Sequence, residues 1–182
     1  MSKAIGMTEY QTVSTGIQAA DLMIKTAEVD VVEAQTVCPG KYMIIVTGEL
    51  SAVRASVDAA KTQFGEKLID SFVLGNPDES IFPAMYGVYE VENKTALGIL
   101  ETFSVAAMIV AADNAAKTAE VQLIELRLAR GMCGKSYMLI TGEVAAVTAA
   151  IDRAQAAAGD KGMFLDSSVI ANPDSKLWET II

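Results

Sequence analysis

Two cysteines and no histidine set the chemistry open to this chain of 182 residues. Cys38 lies in Thr36-Val37-Cys38-Pro39-Gly40-Lys41-Tyr42, and Cys133 lies in Arg130-Gly131-Met132-Cys133-Gly134. Without histidine, Ser-His-Asp and Cys-His catalysis and His-ligated zinc are closed to a single chain. Two thiols also fall short of a four-thiolate site. A lone cysteine can be a buried filler, half of a disulfide, or one ligand of a site completed elsewhere. A structural disulfide is disfavoured in a reducing cytosol. No G-x-G-x-x-G, phosphate loop or paired-carboxylate site occurs, and Gly65-Glu66-Lys67 lacks the glycine-rich lead of a phosphate loop.

The elements that position Cys38 are written twice. Ala4-Ile5-Gly6-Met7-Thr8-Glu9 returns 92 residues later as Ala96-Leu97-Gly98-Ile99-Leu100-Glu101. Lys25-Thr26-Ala27-Glu28-Val29 returns as Lys117-Thr118-Ala119-Glu120-Val121, and Ala19-Ala20-Asp21 as Ala111-Ala112-Asp113. Beyond the Cys38 turn the offset grows to 94 (Thr47-Gly48-Glu49 to Thr141-Gly142-Glu143), then to 96 (Asn76-Pro77-Asp78 to Asn172-Pro173-Asp174). The second copy therefore carries a longer turn, Arg130 to Gly134. Insertions collect in exposed loops, so this turn is where the copies diverge.

Each copy is expected to follow one order of elements. Ala4 to Glu9 alternates like a strand. Ile17, Ala20, Ile24 and Ala27 fall at helical spacing, matched by Ile109, Ala112, Ala116 and Ala119. Val29 to Val37 and Tyr42 to Thr47 are β-rich runs that predict a hairpin with Cys38 near its tip. Proline fixes φ and glycine permits positive φ, so Pro39-Gly40 suits a tight turn. Val53, Val57, Ala60 and Phe64 predict a second helix closed by Gly65 as C-cap, repeated by Val147, Ile151, Ala154, Ala158 and Gly159. A last strand near Ser71 to Leu74 completes β-α-β-β-α-β. The expected fold class is α+β, two tandem split βαβ domains of ferredoxin-like type. The domains are placed at 1–90 and 95–182, joined by residues of about 76–94 that include Pro77 and Pro83.

Composition bounds the partners. Hydrophobic residues make up 52% of the chain and mean hydropathy is +0.34, enough for a packed core. No apolar run approaches the roughly 18 residues that span a bilayer, and Met1-Ser2-Lys3-Ala4 does not begin a signal peptide. A soluble cytoplasmic protein is expected, with no membrane partner. A net charge of −9 without a basic cluster argues against nucleic acid. Only 20% of residues are charged, which suits either surface buried between subunits or an alanine-rich core in a monomer.

Several segments resemble the signature stretches of bacterial microcompartment shell domains. These are Ala96-Leu97-Gly98-Ile99-Leu100-Glu101-Thr102, Ala111 to Val121, Thr141 to Val147 and Ser167 to Pro173, with weaker versions in the first copy. Two such domains without circular permutation resemble the tandem shell proteins that form trimers. The Cys38 turn resembles that of the tandem shell proteins of propanediol-utilisation microcompartments. The resemblance implies a homotrimer, a pseudo-hexagonal tile with hairpin turns around a central pore. It also implies an iron–sulfur cluster, [4Fe–4S], held by Cys38 of three chains. Around that pore it puts Val37, Pro39, Gly40, Arg130, Gly131, Met132 and Cys133. Lys25 and Lys117 match the lysine that packs along tile edges; the plainer alternative is a helix-face lysine paired with Glu28 or Glu120. Other shell proteins at the tile edges and enclosed redox enzymes are the implied partners.

From the residues themselves, a threefold axis turns one cysteine per chain into three converging thiolates, and the absent side chain of Gly40 would let backbone N–H groups approach the cluster. Cys133 reads as a partly buried bystander or a second set of pore thiols, and Arg130 as a pore cation or a solvated loop arginine. The functions in contention are a shell tile with a pore cluster, for electron transfer across the shell or cluster delivery; a cluster-free tile conducting small metabolites; and a tandem ligand-sensing domain. An enzyme has the least support, since no general base is in evidence.

Overall fold

The computed structural model describes residues 4–87, 91 and 93–181. The first copy runs β1 (Ala4–Tyr10), α1 (Val13–Thr26), β2 (Val29–Val37), β3 (Lys41–Gly48), α2 (Leu50–Phe64) and β4 (Leu68–Leu74). After α3 (Ile81–Tyr86) the second runs β5 (Ala96–Thr102), α4 (Val105–Thr118), β6 (Val121–Leu128), β7 (Ser136–Gly142), α5 (Val144–Gly159) and β8 (Phe164–Ala171), followed by α6 (Ser175–Ile181). Each copy makes a four-stranded antiparallel sheet, ordered β2-β3-β1-β4 and β6-β7-β5-β8. Even the irregularities recur: the register shifts at Val31/Glu33 and Leu123/Glu125, and at Glu9/Tyr10 and Glu101/Thr102. Thr47 Oγ1 donates to Ala4 O and Thr141 Oγ1 to Ala96 O, each at 2.8 Å, so one cross-strand clip was duplicated with the strands.

Side chains alternate across a strand, so one sheet face meets the helices. In the first copy Ala4, Tyr10, Ile44 and Val46 pack against Ala19, Ala20 and Met23 of α1 and Val53, Val57 and Ala60 of α2. Fully burying a side chain of the larger types contributes about 1.5–3 kcal/mol, so the larger members of this cluster each add to the first copy's stability on that scale. Ser56 fits within it because its hydroxyl donates to Met23 O at 2.9 Å. On α1 the buried stripe is Gly16, Ala19, Ala20 and Met23, whereas Ile17 and Ile24 are 53% and 49% exposed. The expected Ile17-Ala20-Ile24-Ala27 face is thus rotated by one position. Small residues face the sheet because the helix lies close: a Cβ on Gly16 would sit 2.3 Å from Tyr42 Cβ.

Two further details differ from expectation. Gly65 follows α2 in right-handed conformation (φ −57°) and opens a single 3₁₀ turn, so glycine's freedom is unused there. The joining stretch contains α3, with Pro83 in its first turn, where proline removes no needed donor. Residues 88–90 and 92 of that expected linker lie outside the described residues. Among the described residues no helix is long and apolar enough to cross a membrane.

The chain packs as two compact units that do not follow the sequence halves. Unit 1 gathers the chain up to Pro77 with Ser104–Ala106 and Ala129–Gly134. Unit 2 holds Asp78–Phe103, Ala107–Leu128 and the chain from Lys135 onward. In unit 2, Trp178 of α6 joins Leu97, Ile124 and Leu139 in a buried cluster.

The α1–β3 approach yields a direct test. Gly16→Ala gains about 1 kcal/mol of helix propensity but forces a methyl into Tyr42, an overpacking that costs about 1–3 kcal/mol. Urea denaturation should show a net loss; a gain would show that α1 sits further from the sheet.

Candidate functional site

Cys38 stands at the tip of the β2–β3 hairpin. Lys41 pairs with Val37 across the strands, leaving Cys38, Pro39 and Gly40 as the connection. Gly40 N–H donates to Val37 O at 2.9 Å, and Gly40 takes φ +104°, which a side chain would resist. Cys38-Pro39 is a cis peptide. Val37 is buried, Cys38 half-buried with a free thiol, and Pro39 and Gly40 are exposed.

In unit 1 the longer second turn lies against this tip. Cys38 N–H donates to Ala129 O at 3.1 Å. A Cβ on Gly134 would sit 3.1 Å from Cys38 O and 3.0 Å from Lys41 Nζ, so Gly134, at φ +87°, has no room for a side chain. Arg130, Gly131 and Cys133 are exposed and Met132 is half-buried. Cys133, expected as a partly buried bystander or one of a second set of pore thiols, is a free thiol at φ +52° and exposed in the single chain. Arg130 is neither free nor merely solvated: it forms an ion pair with Glu33 of β2. Burial raises the Glu33 carboxyl above its ordinary range, and the guanidinium opposes that rise.

A buried ion pair underlies the two turns. Glu9 and Lys41 project from the sheet face opposite the helices, and Lys41 Nζ lies 3.0 Å from Glu9 Oε1. Glu9 is fully buried; its other oxygen accepts the Val105 N–H at 3.2 Å. Lys41 Nζ also donates to Gly134 O at 3.4 Å, so one ammonium joins the hairpin base to the second turn. Beside Glu9 across the strands, Asp70 accepts from Ser104 Oγ at 2.8 Å. Burial pushes the Glu9 carboxyl above its ordinary range, outweighing Lys41 and the Val105 N–H, and Asp70 pushes the same way. Sequence reasoning missed Glu9, Lys41, Asp70 and Ser104. The recurrence of Glu9 and Lys41 as Glu101 and Lys135 was the available signal.

The turn's donors bear on any cluster at Cys38. Cys38 N–H and Gly40 N–H both have carbonyl partners and Pro39 has none to give, so the expected backbone N–H donation to a cluster finds no free donor in residues 38–40. Among the described residues no group of three or more His, Cys, Asp or Glu could hold a metal ion within one chain. The chain offers a single thiol at an accessible hairpin tip, which fits one ligand of a shared site.

The matching lysines sit away from this turn. Lys25 Nζ lies 2.6 Å from Asp21 and Lys117 Nζ 2.8 Å from Asp113, both at i−4 rather than toward Glu28 or Glu120. Asp21 is exposed, whereas Asp113 is buried and also accepts the Asp78 N–H at 2.8 Å.

Two split βαβ sheets of one order, in tandem and without permutation, with their hairpins elaborated differently, define a double shell-type domain. The BMC domain model matches residues 4–77 and again 96–173, and the chain belongs to that family of bacterial microcompartment shell proteins. It is 38% identical over 182 residues to the bacterial microcompartment shell protein PduT of Citrobacter freundii, covering all of this chain and 99% of that protein. A crystal structure of a microcompartments protein from Desulfitobacterium hafniense DCB matches with a TM-score of 0.87 and 41% identity, over 98% of this chain and 99% of that one. The fused permuted hexameric shell protein MSM0275 matches with a TM-score of 0.68 at 21% identity, over 87% of this chain and 82% of that one, a likeness of fold alone. The family expected from the repeated motifs is the family found.

The Glu9 site carries a pH signature. A carboxyl whose folded pKa is raised binds more protons in the native state, so its contribution to stability falls as pH rises from the ordinary value of 4.5 through the folded one. Glu9→Gln removes that penalty. The melting-temperature difference between the variant and the wild type should move in the variant's favour as pH rises from about 4 to 7. A difference independent of pH would mean that Glu9 titrates normally.

Proposed function

We propose that this shell protein forms a homotrimeric, pseudo-hexagonal tile whose central pore holds an iron–sulfur cluster on Cys38 of three chains. The observation that carries this reading is the Cys38 thiol itself: free, accessible, and at the tip of a hairpin whose backbone is pinned by Ala129 O and Val37 O. The second copy has no cysteine in the corresponding place, where Arg130 stands and pairs with Glu33. Three equivalent thiolates therefore require three chains, which closed rotational symmetry supplies.

A [4Fe–4S] cluster accepts and releases one electron and ordinarily takes four thiolates, so three would leave one iron for a small ligand from solution. Cys38 supplies the thiolate. Lys41, joined to Glu9 and Gly134 O, holds the hairpin base and the second turn together so that the thiol's direction is fixed. Arg130 pairs with Glu33 of β2. The tile would pass electrons across the shell or hand clusters to enclosed redox enzymes. Lys25 and Lys117 would meet other shell proteins along the tile edges.

Two measurements test this. Anaerobic reconstitution with iron and sulfide should give broad visible absorbance and an EPR signal on reduction; Cys38→Ala should lose both, and Cys133→Ala should keep them. Light scattering should return three times the 19.2 kDa chain mass for the wild type and for Cys38→Ala alike. A trimer without cluster signals would make the tile a cluster-free pore for small metabolites.

A further inference from the structure

Both thiols of the chain lie in unit 1, although their turns come from different copies of the repeat. The second turn is fastened to the very residue that carries the first thiol. Cys38 N–H donates to Ala129 O at 3.1 Å, and a Cβ on Gly134 would meet Cys38 O at 3.1 Å. Lys41 Nζ, on Gly134 O at 3.4 Å, holds the same end of the turn. Residues 130–133 therefore leave the N–H side of Cys38 and return to its carbonyl side, with Cys133 beside the point of return.

Between those two points neither helix nor strand stiffens the turn. Gly131 and Gly134 take φ +71° and +87°, a region glycine enters freely, so the turn is jointed on both sides of Cys133. Cys133 is exposed, Cys38 is half-buried, and both are free thiols. A disulfide needs Cα atoms within about 7 Å of each other. A turn fastened on either side of Cys38 and jointed by two glycines lets Cys133 close to that distance. Cys133 has no part in the cluster proposed above, and the turn gives it a different partner.

We propose that Cys133 is the exchange partner of Cys38: in iron-free protein meeting a small-molecule disulfide, the two form a reversible disulfide within one chain. Access sets the order of the steps. The exposed Cys133 thiolate attacks one sulfur of the small disulfide, forming a mixed disulfide and releasing one small thiol. The Cys38 thiolate then attacks the Cys133 sulfur and releases the second. Two protein thiols are oxidised to one disulfide, the small disulfide is reduced to two thiols, and the two protein protons end on those thiols. Excess small thiol drives both steps backward and frees Cys38 again. The pairing stands on the turn contacts; its consequence, that a chain holds either the cluster or the disulfide, rests on the cluster reading.

Peptide mapping tests it. Iron-free protein is treated with oxidised glutathione, blocked with N-ethylmaleimide and cut with trypsin without reduction. Both maleimide-reactive thiols should be lost, residues 26–41 should be joined to residues 131–135, and undigested chains should run singly on a non-reducing gel. Glutathione left on both cysteines, or links between chains in place of the internal link, would overturn the proposal. Cys133→Ser should keep glutathione on Cys38; a wild type that keeps as much there would overturn it too. Because the link is read without iron, its failure is separate from that of the cluster: a chain that forms the link but takes up no cluster supports the pairing and overturns the cluster reading. In reconstituted protein the link should be lost, with glutathione on Cys133 alone. A link formed as readily with the cluster as without it would overturn the exclusion of one state by the other.

Discussion

The buried Glu9 carboxylate is the constraint around which the candidate site is arranged. A carboxylate without water must be paired and hydrogen-bonded or give up its charge. Here one oxygen faces the Lys41 ammonium and the other the Val105 N–H, and Lys41 continues to Gly134 O. One charge therefore fixes β1, the base of the Cys38 hairpin, the start of α4 and the second turn in a single arrangement. Burial pushes the Glu9 carboxyl above its ordinary range, outweighing the partners that favour its ionised form. A pair of this kind adds little net stability compared with apolar residues of similar size. Its value lies in register: with Lys41 Nζ on Gly134 O it adds to the Cys38 N–H bond to Ala129 O and the Arg130–Glu33 pair in tying one hairpin to the loop of its duplicate.

Duplication followed by divergence explains the rest. The strands, their register shifts and the Thr47 and Thr141 clips are alike in both copies. The turns are not. The first kept a three-residue connection with one thiol, and the second gained two residues and turned Arg130 toward Glu33. In a tile built from identical domains, every turn around the axis would be alike. Fusing two copies lets the two turns specialise, one placing Cys38 at its tip and the other, longer, pairing Arg130 with Glu33.

The strands and helices could be read from the sequence because period-2 and period-3.6 patterns appear twice and each copy corroborates the other. The hairpin and the positive φ of Gly40 followed from the residue types at 38–40. The buried face of α1 did not follow, because the large residues Ile17 and Ile24 suggested one phase while the small residues Gly16 and Ala19 set another. Close packing favours small side chains, which hydrophobic patterning under-weights. The Glu9–Lys41 pair spans two strands and 32 residues, and nothing local announces it. The burial of Ser104 was equally hidden, since it depends on a fold of the chain that brings residues 104–106 and 129–134 into the first compact unit. The place of Cys38 at a hairpin tip was legible in the residue types around it. The structure adds that its N–H and that of Gly40 are already bonded.

Native mass spectrometry of the anaerobically reconstituted protein tests the central claim, that Cys38 is one third of a site. One cluster shared by three Cys38 thiolates predicts a species of three chains carrying a single cluster of four irons and four sulfides. One cluster per chain, or iron bound by an isolated chain, would contradict it.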